Sequence, residues 1–176
     1  MGIGPGILVA ATSMFLFAIA APGADAGQAA HVQPPSEQAV RAFFGERRQP
    51  IYFDDTLARQ FALGISGGVE EKRALADGTR FISTCRPHNC DDKAAAVVDP
   101  DGRIIGVGMI GFRCRKRRYG VPPCDDGPSA FVFVKRATMA KTRDVLRAWA
   151  KGRLVGATGK ADPLKPNQGV FVVVLN

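Results

Sequence analysis

Apolar positions change their period along the chain, and the changes mark out the elements. Residues 7–21 (ILVAATSMFLFAIAA) form an uncharged apolar run, shorter than the ~20 residues that a membrane-crossing helix needs. Pro22 and Gly23 break it, and Ala24-Asp25-Ala26 follows in the small-x-small pattern of a signal-peptidase site. Residues 1–26 are therefore expected to be a cleavable secretory signal peptide, although no Lys or Arg precedes the run. Residues 27–35 (GQAAHVQPP) read as a flexible leader. The folded domain is expected over 36–176.

Within that domain, helical and strand periods alternate. Ser36 can cap a helix over 37–44, in which Val40, Phe43 and Phe44 fall at i, i+3 and i+4 and Gly45 suits the exit. A second helix is expected over 55–63, with an Asp cap, Leu57 and Phe61 on one face, and Gly64 ending it. Residues 69–76 and 79–85 read as strands around the hairpin signal Asp77-Gly78. Residues 94–98 and 103–112 do the same around Asp99-Pro100-Asp101-Gly102. Residues 131–135 (FVFVK) are a further strand. The strongest helix spans 136–151, with Met139, Thr142, Leu146, Trp149 and Ala150 on one face and Gly152 after the last turn. The chain closes on 169–175 (GVFVVVL), apolar on both faces and so expected to be a well-covered strand. There is no internal repeat. The pattern predicts an α+β fold, a single domain with a mainly antiparallel β-sheet flanked by a few helices and a protruding disulfide-closed loop.

Composition supports one globular domain: 176 residues, 46% hydrophobic and 23% charged. Removing 1–26 takes away one acid and no base, so the formal net charge rises from +8 to +9. In the cytosol that charge would suggest nucleic acid; export removes that partner and leaves envelope polyanions, or nothing specific. Export also bears on the four cysteines, Cys85, Cys90, Cys114 and Cys124, all beyond the cleavage site. An even count in an exported chain predicts disulfides. Three connectivities are open, and local pairing, Cys85 with Cys90 and Cys114 with Cys124, is the simplest. No Cys lies near the cleavage site, and no stable membrane anchor is expected.

The segment Thr84 to Asp92, TCRPHNCDD, concentrates the candidate chemistry. A disulfide across four residues between two strands forces a tight protruding turn, and Pro87 restricts it further. His88 would then be displayed on a rigid tip that has little ordering entropy left to lose on binding. A protonated imidazole has two donors and suits a pair of carboxylates, such as the two acids across a glycosidase cleft.

Cys85-Arg86-Pro87-His88-Asn89-Cys90 resembles the Cys-Lys-Pro-His-Asp-Cys loop of the inhibitor of vertebrate lysozyme (Ivy) family. Cys85, Pro87, His88 and Cys90 match position for position; Arg86 stands where the family has Lys, and Asn89 where it commonly has Asp. The order of elements is similar in outline over the mature domain. The resemblance implies a periplasmic inhibitor of c-type lysozyme, often a homodimer, with His88 inserted among the catalytic carboxylates. Arg86, Pro87 and Asn89 complete the implied target-binding set. A regulator of the cell's own lytic transglycosylases is an alternative partner reading.

Other readings of the same residues are weaker. Redox-active pairs are typically C-x-x-C at a helix N-terminus, not C-x4-C between strands. A metal site would be left with His88 and the adjacent Asp91 and Asp92 once the thiols are oxidised. His31 falls in the leader. The run from Arg113 to Arg118 carries five positive charges, read as a solvated loop or as a contact with anionic envelope polymers. The pairs Asp54-Asp55, Asp91-Asp92 and Asp125-Asp126 are adjacent, and neighbours on a strand point to opposite faces. No catalytic constellation, cofactor motif or metal-ligand pattern is found, so a non-enzymatic protein is expected, with an envelope-binding module as the reading from a different class.

Overall fold

The computed structural model describes residues 1–2, 34–112, 127–158 and 169–176. Most of the expected signal peptide and of the leader, the Arg113–Arg118 run and the Cys114–Cys124 pair lie outside these residues. The domain is α+β: among the described residues it has three α-helices and a six-stranded mixed sheet.

Helix α1 is Glu37–Phe44. Ser36 Oγ accepts from the Ala39 N–H at 3.2 Å, satisfying one free donor of the first turn. Gly45, at φ +60°, returns its N–H to the Arg41 carbonyl at 2.8 Å. Helix α2 is Leu57–Ile65 and differs from expectation at both ends. Thr56 is the cap, accepting from the Arg59 N–H at 3.3 Å, while the Asp55 carboxylate accepts from the Thr56 N–H one step earlier. Gly64 does not end the helix but lies inside it; its place there calls for a glycine, because a Cβ would come within 2.8 Å of the Tyr52 hydroxyl and 2.9 Å of Ala94 Cβ.

Strands β1 (Val69–Ala74), β2 (Arg80–Arg86), β3 (Asn89–Val98), β4 (Ile104–Gly111), β5 (Ser129–Lys135) and β6 (Val170–Leu175) lie in sequence order across the sheet. The first five are antiparallel neighbours, and β6 runs parallel to β5. Both expected turns form, with Gly78 at φ +79° and Gly102 at φ +84°.

Alternation along the strands sends side chains to two separate cores. On one face, Ile82, Ala94, Ala96, Val107, Met109, Phe131 and Phe133 pack with Phe43, Phe44, Leu57 and Phe61 of α1 and α2. On the other, Phe81, Ala95, Val97, Val132 and Val134 meet helix α3, Met139–Thr158, through Leu146, Trp149, Ala150 and Leu154. Helix α3 follows a 3-10 turn, Arg136–Thr138, and runs through Gly152, seven residues past its expected end. Gly106 and Gly108 let it approach: a Cβ on Gly108 would sit 2.4 Å from the Trp149 ring. Strand β6 also departs from expectation. It lies at the sheet's edge with Phe171, Val172 and Val174 about two-fifths exposed, so its two-sided apolarity does not reflect cover on both faces. No helix among the described residues is long and apolar enough to cross a membrane.

Candidate functional site

The β2–β3 hairpin ends in the segment singled out by sequence. Arg86 pairs with Asn89, so the turn has two central residues, Pro87 and His88. Pro87 presets its own φ, and His88 adopts φ +61°, the one positive φ among the described residues other than glycine. Proline followed by a left-handed residue is the type II pattern, which normally selects Gly or Asn at the second place. A histidine there carries a backbone cost of about 1–2 kcal/mol, and such outliers persist where the surroundings over-determine them.

Two devices do so here. The first is the Cys85–Cys90 disulfide, which holds the two Cα atoms 4.7 Å apart across the turn. The second lies beneath it. Cys85 pairs with Lys93 while Arg86 pairs with Asn89, so Cys90, Asp91 and Asp92 form an unmatched bulge on β3. Bulges re-aim side chains, and this one buries Asp92 while Asp91 faces solvent. Asp92 Oδ2 accepts from Arg86 Nη1 at 2.7 Å and from Asn89 Nδ2 at 2.9 Å. Its side chain is 6% exposed and that of Arg86 29%. Burial raises the Asp92 carboxyl above the ordinary carboxylate range, with Arg86 and Asn89 pulling it back and Asp91 adding to the rise.

Arg86 and Asn89 are thus turned inward onto Asp92, leaving Pro87 and His88 as the exposed tip. The partner also accounts for the amide at position 89. An ionised Asp92 can only accept, so Asn89 meets it with a donor. An aspartate at 89 would instead bring a second carboxylate to the same place.

A scaffold under the bulge holds Asp92 where it is. The Tyr52 hydroxyl donates to the Lys93 carbonyl at 2.6 Å. Burial first, and then the Asp92 charge, raise the Tyr52 phenol well above its ordinary value, so it stays a donor. Gly111 makes room for both: a Cβ there would sit 2.6 Å from the Tyr52 ring and 3.1 Å from Asp92 Oδ1. Tyr52 is in turn pinned by Gln60. The fully buried Gln60 accepts from the N–H groups of Ile51 and Tyr52 at 3.1 and 2.9 Å and donates to the carbonyls of Gln49 and Asp55. Gly67 passes so close to the Cys85 carbonyl that a Cβ would lie 1.6 Å from its oxygen. Thr84 Oγ1 donates to the Gly64 carbonyl at 2.7 Å, tying the strand below the loop to α2.

Sequence reasoning missed Asp92, Gln60, Tyr52 and Gly111 as parts of this site. Two left a signal. Asp92 shares its parity with the inward-facing Ala94, Ala96 and Val98, and Gln60 sits on the apolar stripe of Leu57, Phe61 and Gly64. A polar residue on an apolar face has to find buried partners. Among the described residues, no group of three or more His, Cys, Asp or Glu side chains could hold a metal ion. Comparison with known proteins returns no match, neither a family model, nor a curated protein, nor a solved structure.

Proposed function

We propose that this protein is an exported inhibitor of c-type lysozyme that occludes the enzyme's cleft with the Cys85–Cys90 loop. The observation that carries the reading is the exposed His88, held at φ +61° on a disulfide-closed two-residue turn. A side chain kept in a costly backbone conformation at an exposed tip is better explained by a contact to another molecule than by stability.

The chemistry follows from what such a tip can offer. A protonated imidazole donates through both ring nitrogens. Lysozyme-type glycosidases place two carboxylates across the cleft, and charge-assisted hydrogen bonds to them in a water-poor site are strong. The loop contains no glycosidic bond, so it engages the catalytic pair without being turned over. Its order before binding keeps the association from incurring most of the loop's ordering entropy. The resemblance of residues 85–90 to the Ivy loop supports this reading and implies a periplasmic location.

The test is inhibition. The purified mature chain is titrated against a c-type lysozyme in a cell-lysis assay and, in parallel, against a bacterial lytic transglycosylase. Stoichiometric inhibition of the lysozyme that is lost in His88→Ala supports the reading. Inhibition of the transglycosylase alone would redirect it to an endogenous target. Inhibition of neither enzyme would sink the occlusion mechanism.

A further inference from the structure

We propose that Asp92 is the positioning residue of the loop: by binding both flanks of the Pro87–His88 turn at one carboxylate oxygen, it fixes the aim of the His88 imidazole, and its protonation releases that aim. This rests on the loop being the binding element, but the clamp can be measured in the free protein.

The disulfide alone does not set this geometry. It fixes the distance between Cys85 and Cys90, yet Arg86 and Asn89 lie inside the ring that it closes and can still rotate. Asp92 lies outside that ring, on the bulge, and reaches back to both side chains. Its two partners flank the turn as the cross-strand pair nearest the tip, so holding them holds the ends of the Pro87–His88 segment. The clamp is itself seated on β4 and on the α1–α2 connection, where Gly111 and Tyr52 leave a space of its size.

The arrangement is expensive for the fold. A buried carboxylate loses its hydration, and burial outweighs the pull of Arg86 and Asn89, so the Asp92 carboxyl lies above its ordinary value. An asparagine of the same shape would avoid that cost. A charge retained where a neutral isostere would fit is expected when ionisation itself has a use. The charged and titratable groups facing Asp92 are Arg86 from β2, Asp91 beside it on β3, and Tyr52 from the α1–α2 connection. Tyr52, raised well above its ordinary value, keeps its proton across the acid and neutral range. Asp92 is the member of the cluster that both holds the two flanks of the turn and can take up a proton in acid. In acid it accepts a proton, the charge-assisted bonds to Arg86 and Asn89 weaken, and the tip loosens.

The experiment compares the mature wild type with Asp92→Asn. Amide nitrogen relaxation at His88 and Asn89, and the side-chain signals of Arg86 Nε and Asn89 Nδ2, are followed in the free protein from neutral to acid pH. Wild type should show an ordered tip that loosens with a midpoint above the ordinary carboxylate value, while the spectrum elsewhere stays dispersed. Asp92→Asn should be loose throughout, with no acid transition, and no less stable to urea than wild type. Inhibition of a c-type lysozyme at pH 7 should fall about 10–100-fold in the variant, the equivalent of re-ordering one or two residues on binding. A tip in Asp92→Asn as ordered as in wild type would overturn the proposal. So would a loosened tip with undiminished inhibition. If wild type does not inhibit lysozyme at all, the lysozyme reading fails by itself, and the relaxation data still decide whether the clamp exists.

Discussion

Substitutions at His88 separate the cost of the turn from the use of the side chain. At φ +61° any residue with a Cβ carries about 1–2 kcal/mol of backbone strain. His88→Ala keeps the Cβ and removes an exposed ring, so stability should change by less than about 0.5 kcal/mol. His88→Gly removes the strain but gives the unfolded chain about 0.5–1 kcal/mol more freedom. The balance is roughly 0–1.5 kcal/mol in favour of the glycine variant. His88→Val puts a β-branched residue in a conformation it rarely adopts and should lie below alanine by about 1 kcal/mol or more. The order Gly, Ala, Val is read from urea unfolding, with a constant denaturant slope as the check that only stability has changed. All three variants lose the imidazole. Each should therefore weaken lysozyme inhibition by about 2–5 kcal/mol, roughly 30-fold to several thousand-fold. A glycine variant less stable than alanine would refute the strained turn. An alanine variant that inhibits like wild type would show that the imidazole is not the contact.

Three further outcomes probe the scaffold. Gln60→Ala leaves the buried N–H groups of Ile51 and Tyr52 without acceptors; at about 1–3 kcal/mol each, the variant should lose roughly 2–6 kcal/mol in urea unfolding, and a loss below about 1 kcal/mol would mean that the 49–55 segment finds other partners. Gly67→Ala should cost about 2–4 kcal/mol, because its Cβ meets backbone and not a flexible side chain. The neighbouring Gly68→Ala has open space and should stay within about 1 kcal/mol, so equal effects at the two sites would contradict the close approach under Cys85. Asp77 is held below the ordinary carboxylate range by the hydroxyl and the N–H of Thr79, with Lys141 nearby. Its stabilisation is complete above the unfolded value and is lost as pH falls through the lower folded value. Asp77→Ala should accordingly be less stable than wild type at pH 7, with the gap closing by about pH 2; a gap that persists in acid would assign the effect to the turn's backbone instead.

The sequence by itself determined every element whose signal is local. Ser36 and Gly45 delimit α1 because a cap and a left-handed exit depend on a few neighbouring residues. Asp77-Gly78 and the turn ending at Gly102 set two hairpins for the same reason. The spacing of Cys85, Pro87, His88 and Cys90 marked the loop, since a short disulfide ring confines whatever it encloses. Boundaries governed by distant contacts were not legible. Gly64 looked like a helix stop but is a glycine inside α2 for a tertiary reason, since Tyr52 and Ala94 leave no room for a Cβ, and α3 runs on past Gly152. Strand β6 reads as interior from its composition, yet it pairs on one side only, and strand order is a property of the assembled sheet. The support for His88 was hidden in the same way. Asp92, Tyr52, Gln60 and Gly111 are separated by as many as 59 positions in the chain, and the sheet brings Asp92 to Tyr52 and Gly111 on one face while α2 supplies Gln60. A side chain on a turn can be read from its neighbours, but the buried charge that holds it depends on which groups the fold places beneath it.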